Sequence, residues 1–214
     1  MSKLRLKISM SLDGFVAGPN QSVENPLGIG GMRLHEWAFA LEKWREQHEM
    51  EGGEINESTA VVEESLANIG ATVMGRNMFG GHPGPWEARK PWNGWWGDDP
   101  PFHAPVFVLT HHARESLEMQ GGTTFHFVTD GIESAYEQAR AAAGGKDIVI
   151  GGGAQTVQQS LAAGLLDELQ INLVPILLGD GTRLLDGLAT DTALECTRVV
   201  EAPGVTHLRY RVVK

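Results

Sequence analysis

Three short apolar runs, each closing on a tight turn, constrain this chain more than any other feature. Ala71-Thr72-Val73-Met74 ends at Gly75, Pro105 to Leu109 ends at Thr110, and Asp147 to Ile150 ends at Gly151-Gly152-Gly153. Runs of this length with little polar alternation read as strands buried on both faces. Helical spacing separates them: Glu133 to Ala143 is closed by Gly144-Gly145, and Gln155 to Ala163 follows the glycine triplet. Strands alternating with helices predict an α/β fold with a mostly parallel central sheet and helices on both faces.

The flanks are read in the same way. Leu4, Leu6, Ile8, Met10 and Leu12 alternate with Arg5, Lys7, Ser9 and Ser11, which predicts a strand running into the turn pair Asp13-Gly14. Val61-Val62 and Leu66 to Ile69 keep helical spacing, with Asn56 or Ser58 as N-cap and Gly70 as a stop. Thr124 to Val128 is a further strand. Glu168 to Leu178 reads as a long strand whose Pro175 marks a bulge or an edge. Ala193 to Glu201 and Val205 to Val213, joined at Pro203-Gly204, form a C-terminal antiparallel hairpin.

Two stretches depart from this alternation. Arg33 to Met50 has the spacing of one amphipathic helix, with Trp37, Leu41 and Trp44 on a stripe. An insert at about 80–101 holds Trp86, Trp92, Trp95 and Trp96 among glycines and prolines. Each buried aromatic removes ~150–250 Å² from water, so this insert is expected to be ordered. It is either a packed flap or a wall over a flat ligand.

Size and charge narrow the classes. The 214 residues lack a Ser-, Gly- or Pro-rich linker, and residues 1–214 are expected to form a single domain. The net charge of −10, with no lysine or arginine run, argues against a nucleic-acid partner. No apolar stretch approaches the ~20 residues of a membrane span, and Met1 to Lys7 lacks the apolar core of a signal peptide. A cytoplasmic protein is expected. Cys196 is the one cysteine, so a multi-cysteine zinc site is excluded. His111-His112 would point to opposite faces of a strand, and His35-Glu36 has Phe39 where H-E-x-x-H needs its second histidine, so no metal is assigned.

The chemistry gathers at strand ends. Gly151, Gly152 and Gly153 let a ligand approach the backbone, and the helix from Ala154, Gln155 and Thr156 would present free N–H groups to a phosphate. Thr156 stands where G-x-G-x-x-G requires glycine, so a Rossmann site is not supported. The plain alternative is a tight strand-to-helix turn. Gly75-Arg76-Asn77 could supply a charge-assisted partner to a pyrophosphate, and Thr110, His111 and Arg114 an extra contact such as the 2′-phosphate of NADPH. No nucleophile elbow is present.

These turns, in this order, resemble the dihydrofolate reductase-like superfamily, most closely the reductase domain of bacterial riboflavin-biosynthesis deaminase-reductases. The matching stretches are Ser11 to Ala17, Met74-Gly75-Arg76, Val106 to Thr110, Ile150 to Gly153, Gly164 to Leu169 and Val174 to Gly181. The resemblance implies a dihydrofolate reductase-like three-layer fold that binds NADPH and commonly pairs as a homodimer. It places Gly75, Arg76 and Asn77 on cofactor phosphates, and Thr110, His111 and Arg114 near the adenosine. Gly151 to Thr156 would hold the pyrophosphate, and Val16 and Ala17 would border the nicotinamide. Asp13 would face the substrate; its alternative reading is a turn residue.

One departure bears on the reaction. The proton-donating carboxylate of folate reductases falls by spacing on Thr59, with Glu57, Glu63 and Glu64 nearby but displaced. That argues against folate as substrate. The expected activity is NADPH-dependent reduction of a flat heterocycle or carbonyl, like that of 5-amino-6-(5-phosphoribosylamino)uracil reductase. The alternative is a non-catalytic nucleotide-binding regulatory or interaction protein on the same fold.

Overall fold

The structure, a computed structural model, describes residues 2–48, 50–87, 92–188 and 191–214. Its strands are β1 (Leu4–Ser11), β2 (Phe15–Ala17), β3 (Ile69–Gly75), β4 (Pro105–Leu109), β5 (Leu117–Glu118) and β6 (Thr124–Val128). They continue as β7 (Asp147–Gly152), β8 (Glu168–Val174), β9 (Thr182–Arg183), β10 (Leu194–Ala202) and β11 (Val205–Val212). The α-helices are α1 (Glu36–Phe39), α2 (Glu42–Gln47), α3 (Glu57–Leu66), α4 (Arg76–Phe79), α5 (Ile132–Ala142) and α6 (Ala154–Ala162).

Contacts divide the chain into two compact units that interleave in sequence. One comprises Met1–Leu6, Asn68–Asp167 and Gly187–Asp191; the other comprises Lys7–Ala67, Glu168–Asp186 and Thr192–Lys214. In the first, strands are bonded in the order β1-β7-β3-β4-β6-β5. They are parallel as far as β6, and β5 is antiparallel. In the second the order is β1-β8-β11-β10, with β8, β11 and β10 antiparallel, and β2 pairs separately with β9. The mixed α/β class, the parallel strands and the C-terminal hairpin agree with the sequence reading.

In the first unit Ala71, Thr72, Val73 and Met74 of β3 are all buried, as a strand covered on both faces requires. Helix α5 packs across β3, β4 and β7, burying Ala135 and Ala139. Met74, Val106, Val108 and Phe125 join Phe79 in one core cluster. Aromatic side chains complete that cluster: Trp86, Trp92, Trp96 and Phe102 pack against it. The insert is therefore a packed cover, as its tryptophans require; its residues 88–91 lie outside the described ones.

The second unit corrects several expectations. The alternation along β1 changes after Leu6: Ser9 and Ser11 are buried while Leu12 is 62% exposed. Both serines are hydrogen-bonded, which makes their burial tolerable. Ser9 accepts from Trp37 Nε1 at 3.2 Å, and Ser11 Oγ accepts from the Phe15 amide at 2.9 Å. The single helix from Arg33 to Met50 is instead a 3-10 turn at Gly31–Leu34 followed by α1 and α2; Glu49 lies outside the described residues. Leu41 breaks it. Its backbone is extended, and the flanking amides bond to Glu54 (Glu42 N to Glu54 O, 3.0 Å; Glu54 N to Ala40 O, 2.8 Å).

Helix α3 is capped by Asn56, which accepts from Ser58 N, while Thr59 Oγ1 accepts from Asn56 N. It ends at Leu66, so Gly70 is a strand residue and not the stop. Strand β8 ends at Val174, not Leu178: Pro175 has no N–H for the ladder, and Ile176 N turns back onto Val174 O at 2.8 Å. A buried polar chain joins three elements. Ser58 Oγ lies 2.9 Å from His207 Nε2, and His207 Nδ1 lies 2.8 Å from Asn172 Oδ1. With Asn172 presenting its oxygen, Nδ1 is the donor and Nε2 accepts from Ser58.

Candidate cofactor site

The first unit brings three of the sequence-selected turns to neighbouring strand ends. Met74 pairs with Gly152 and Gly75 with Leu109, so the carboxyl ends of β7, β3 and β4 are adjacent. From β3 the chain moves outward to β4 and β6, then returns through α5 to β7 on the other side of β3. Strand order reverses between β3 and β7, the position where open α/β sheets bind ligands. The turns meet closely there. A Cβ on Gly75 would lie 2.7 Å from Thr156 Oγ1, so any side chain there would have to displace Thr156. Gly153 caps α6: its carbonyl accepts from Thr156 N at 3.1 Å and Val157 N at 3.3 Å, which leaves the Ala154 and Gln155 amides without a partner in the helix. Ala154 and Thr156 are buried and Gln155 is exposed.

Arg76 and Arg114 sit beside these turns, held by the insert. The Arg76 guanidinium stacks on Trp86 at 3.2 Å from the ring centroid and donates to Gly80 O at 3.0 Å and His82 O at 2.8 Å. Arg114 lies over the same indole at 5.0 Å and donates to Trp92 O and to Asn93 Oδ1. Burial and the nearby Arg114 charge lower the Arg76 pKa to about 10, and burial lowers that of Arg114. Both remain cationic at neutral pH. Among the described residues neither forms an ion pair with a carboxylate.

The tryptophans brace this pair through their N–H groups. Trp86 Nε1 donates to His112 O at 2.8 Å, Trp92 Nε1 to Phe79 O at 2.8 Å, and Trp95 Nε1 to Met78 O at 2.9 Å. The last two satisfy carbonyls at the end of α4, which a one-turn helix leaves unpaired. Gly80 ends that turn at φ +87°, and a Cβ there would strike the Trp95 ring. Sequence reading found the tryptophans but not these roles. An indole N–H in a Gly/Pro-rich segment signals a partner without saying which.

The remaining candidates fall as follows. Thr110 is buried and its Oγ1 accepts from His112 N at 3.1 Å, so it shapes the turn. His111 and Asn77 are exposed. Asp13, Val16 and Ala17 belong to the second unit. Asp13 accepts from Ser11 Oγ at 2.6 Å, Gly179 N at 2.8 Å and Leu178 N at 3.1 Å. The Ser11 bond, helped by the two amides, holds its pKa down to about 2. At neutral pH it is a fixed anion that accepts hydrogen bonds and cannot donate a proton. Ala17 is buried and Val16 half-buried. Thr59 is engaged in the α3 cap, and Glu57, Glu63 and Glu64 are exposed.

A family model described as the RibD C-terminal domain matches residues 2–208. The chain belongs to that family. Membership makes this RibD C-terminal domain protein an oxidoreductase by family. It is similar over 99% of its length to 99% of a Shewanella sp. PV-4 protein ascribed to riboflavin biosynthesis, at 19% identity and TM-score 0.66. It is similar over 98% of its length to a Thermotoga maritima diaminohydroxyphosphoribosylaminopyrimidine deaminase/5-amino-6-(5-phosphoribosylamino)uracil reductase, at 14% identity and TM-score 0.53; there it spans 56% of the longer chain. Enterococcus faecalis dihydrofolate reductase complexed with NADP(H) matches over 99% of this chain and 97% of its own, at 13% identity and TM-score 0.51. These likenesses show a dihydrofolate reductase-like fold. No curated protein matches the chain. Among the described residues no helix is long and apolar enough to cross a membrane, and no three ligating side chains come together as a metal site.

Proposed function

We propose that the protein is an NADPH-dependent reductase of a flat heterocycle or carbonyl, one domain of the RibD C-terminal type that works as a cytoplasmic homodimer. One observation carries the cofactor reading. Two half-buried guanidiniums share one indole, lack a carboxylate among the described residues, and stand beside touching glycine turns at adjacent strand ends. Uncompensated like charges in a partly buried site are costly, and a phosphate-bearing ligand would relieve that cost.

Each chain element has a task in this reading. Gly151 to Gly153 let the pyrophosphate approach the backbone, and the Ala154 and Gln155 N–H groups at the start of α6 would donate to it. Arg76, next to Gly75 and sharing the Trp86 indole with Arg114, adds a charge-assisted bond to the 2′-phosphate. Arg114, with His111 beside it, faces the 2′-phosphate. The bound nicotinamide supplies the hydride. Asp13, ionised at neutral pH, accepts an N–H or O–H of the substrate, and the proton that accompanies the hydride comes from water.

Calorimetric titration with NADPH tests the reading: saturable binding is expected, and no heat at millimolar cofactor overturns it. Cofactor oxidation is then followed by absorbance across a panel of pyrimidines, pterins and carbonyls. Tight binding without turnover on every substrate would favour the nucleotide-binding protein. Light scattering as a function of concentration checks the dimer.

A further inference from the structure

We infer that Trp86 is a positioning residue that sets the preference for a 2′-phosphorylated cofactor, by holding Arg76 and Arg114 together as one dicationic site. This rests on the cofactor reading above. A single indole makes three contacts that fix the ends of two strands. Arg76, after β3, lies on its face at 3.2 Å; Arg114, after β4, lies at 5.0 Å; and its N–H donates to His112 O in the β4 turn. Phe79 and Phe127 meet the ring edge-on at 5.8 Å and 5.0 Å, so it cannot rotate away.

The chemistry follows from the charges. Two guanidiniums repel, and the Arg114 charge contributes to the lowered pKa of Arg76. A carboxylate between them would hold them but neutralise the site. An aromatic face attracts both cations while carrying no net charge. The carbonyls of Gly80, His82 and Trp92 and the amide of Asn93 act likewise, as uncharged acceptors. Each arginine keeps donors beyond those it uses here, since a guanidinium has five N–H groups. The result is a preorganised pair with its full charge available. It suits a phosphate monoester dianion better than an uncharged ribose hydroxyl.

The test compares adenosine 2′,5′-bisphosphate with adenosine 5′-monophosphate as calorimetric ligands of the full chain. For Trp86→Leu, affinity for the bisphosphate is expected to fall about tenfold, the size of a partly desolvated cation–π contact, with little change for the monophosphate. Trp86→Phe keeps a weaker aromatic face and should fall between the leucine variant and the parent in its preference. Equal loss for both ligands, or no loss, overturns the inference. Should the leucine variant fail to fold, Trp86→Phe decides alone: a reduced preference supports the positioning role and an unchanged one sinks it. If the parent binds NADPH but does not distinguish the two adenosine ligands, only this inference fails. If it binds neither NADPH nor the ligands, the cofactor reading falls and this inference with it.

Discussion

Two arginine pairs in this molecule show how differently the same side chain can be held. Arg198 and Arg209 converge on Glu64, at 2.6 Å and 3.1 Å, in a partly exposed ion cluster. Arg76 and Arg114 converge on Trp86. In the first pair the carboxylate cancels charge, and the Arg198 and Arg209 bonds lower the Glu64 pKa. In the second the indole and several carbonyls fix position and leave the charge intact. A neutralised pair is a fastening; a pair fixed by uncharged groups can still bind an anion.

The largest expected effect comes from removing the floor beneath the second pair. Phe79 is fully buried and touches Trp86, Phe125 and Phe127, so Phe79→Ala should cost about 3–5 kcal/mol in chemical denaturation. A loss below about 1 kcal/mol would mean the aromatic cover is not part of the core. Next, Arg76→Ala should weaken NADPH roughly 10- to 100-fold, the value of a charge-assisted bond, while Arg198→Ala leaves it unchanged. Similar losses for both would erase the contrast. Arg114→Ala should weaken NADPH about tenfold more than NADH; identical losses would remove Arg114 from the 2′-phosphate.

Smaller effects sharpen the other side. His207 is buried, and desolvation, with the charges of Lys7 and Arg198, lowers its pKa to about 4. The unfolded chain therefore binds the proton more readily, and stability should fall as pH drops from about 6.5 toward 4. Thermal midpoints over that range should lose part of their slope in His207→Gln, and an identical slope would refute the assignment. Smallest of all is Glu64→Gln. As an exposed pair its loss should shift the melting midpoint barely, with cofactor affinity untouched.

Much of the fold could be read from local pattern. Composition and turn residues agree at Pro105–Leu109 and Thr124–Val128, which delimits both strands, and the hairpin at Pro203-Gly204 follows from one turn signal. Prediction failed where distant partners decide. Leu41 leaves the helical path because Glu54 offers backbone hydrogen bonds, and buried Ser9 is satisfied by Trp37, far along the chain. The same holds at the candidate site. Gly75, Arg76 and Gly151 to Gly153 announce themselves by residue type, but the acceptors of the arginines lie up to 22 residues away along the chain. The chain from Ser58 through His207 to Asn172 spans still greater separations and leaves no periodic trace.

The indole wedged against Arg76 and Arg114 also has an optical consequence. Its excited state is sensitive to the electric field of nearby cations, so displacement of either guanidinium should change the colour and yield of its emission. The native polypeptide thus carries an intrinsic dye at the spot where an anion would arrive, and occupancy could be followed without attaching a label.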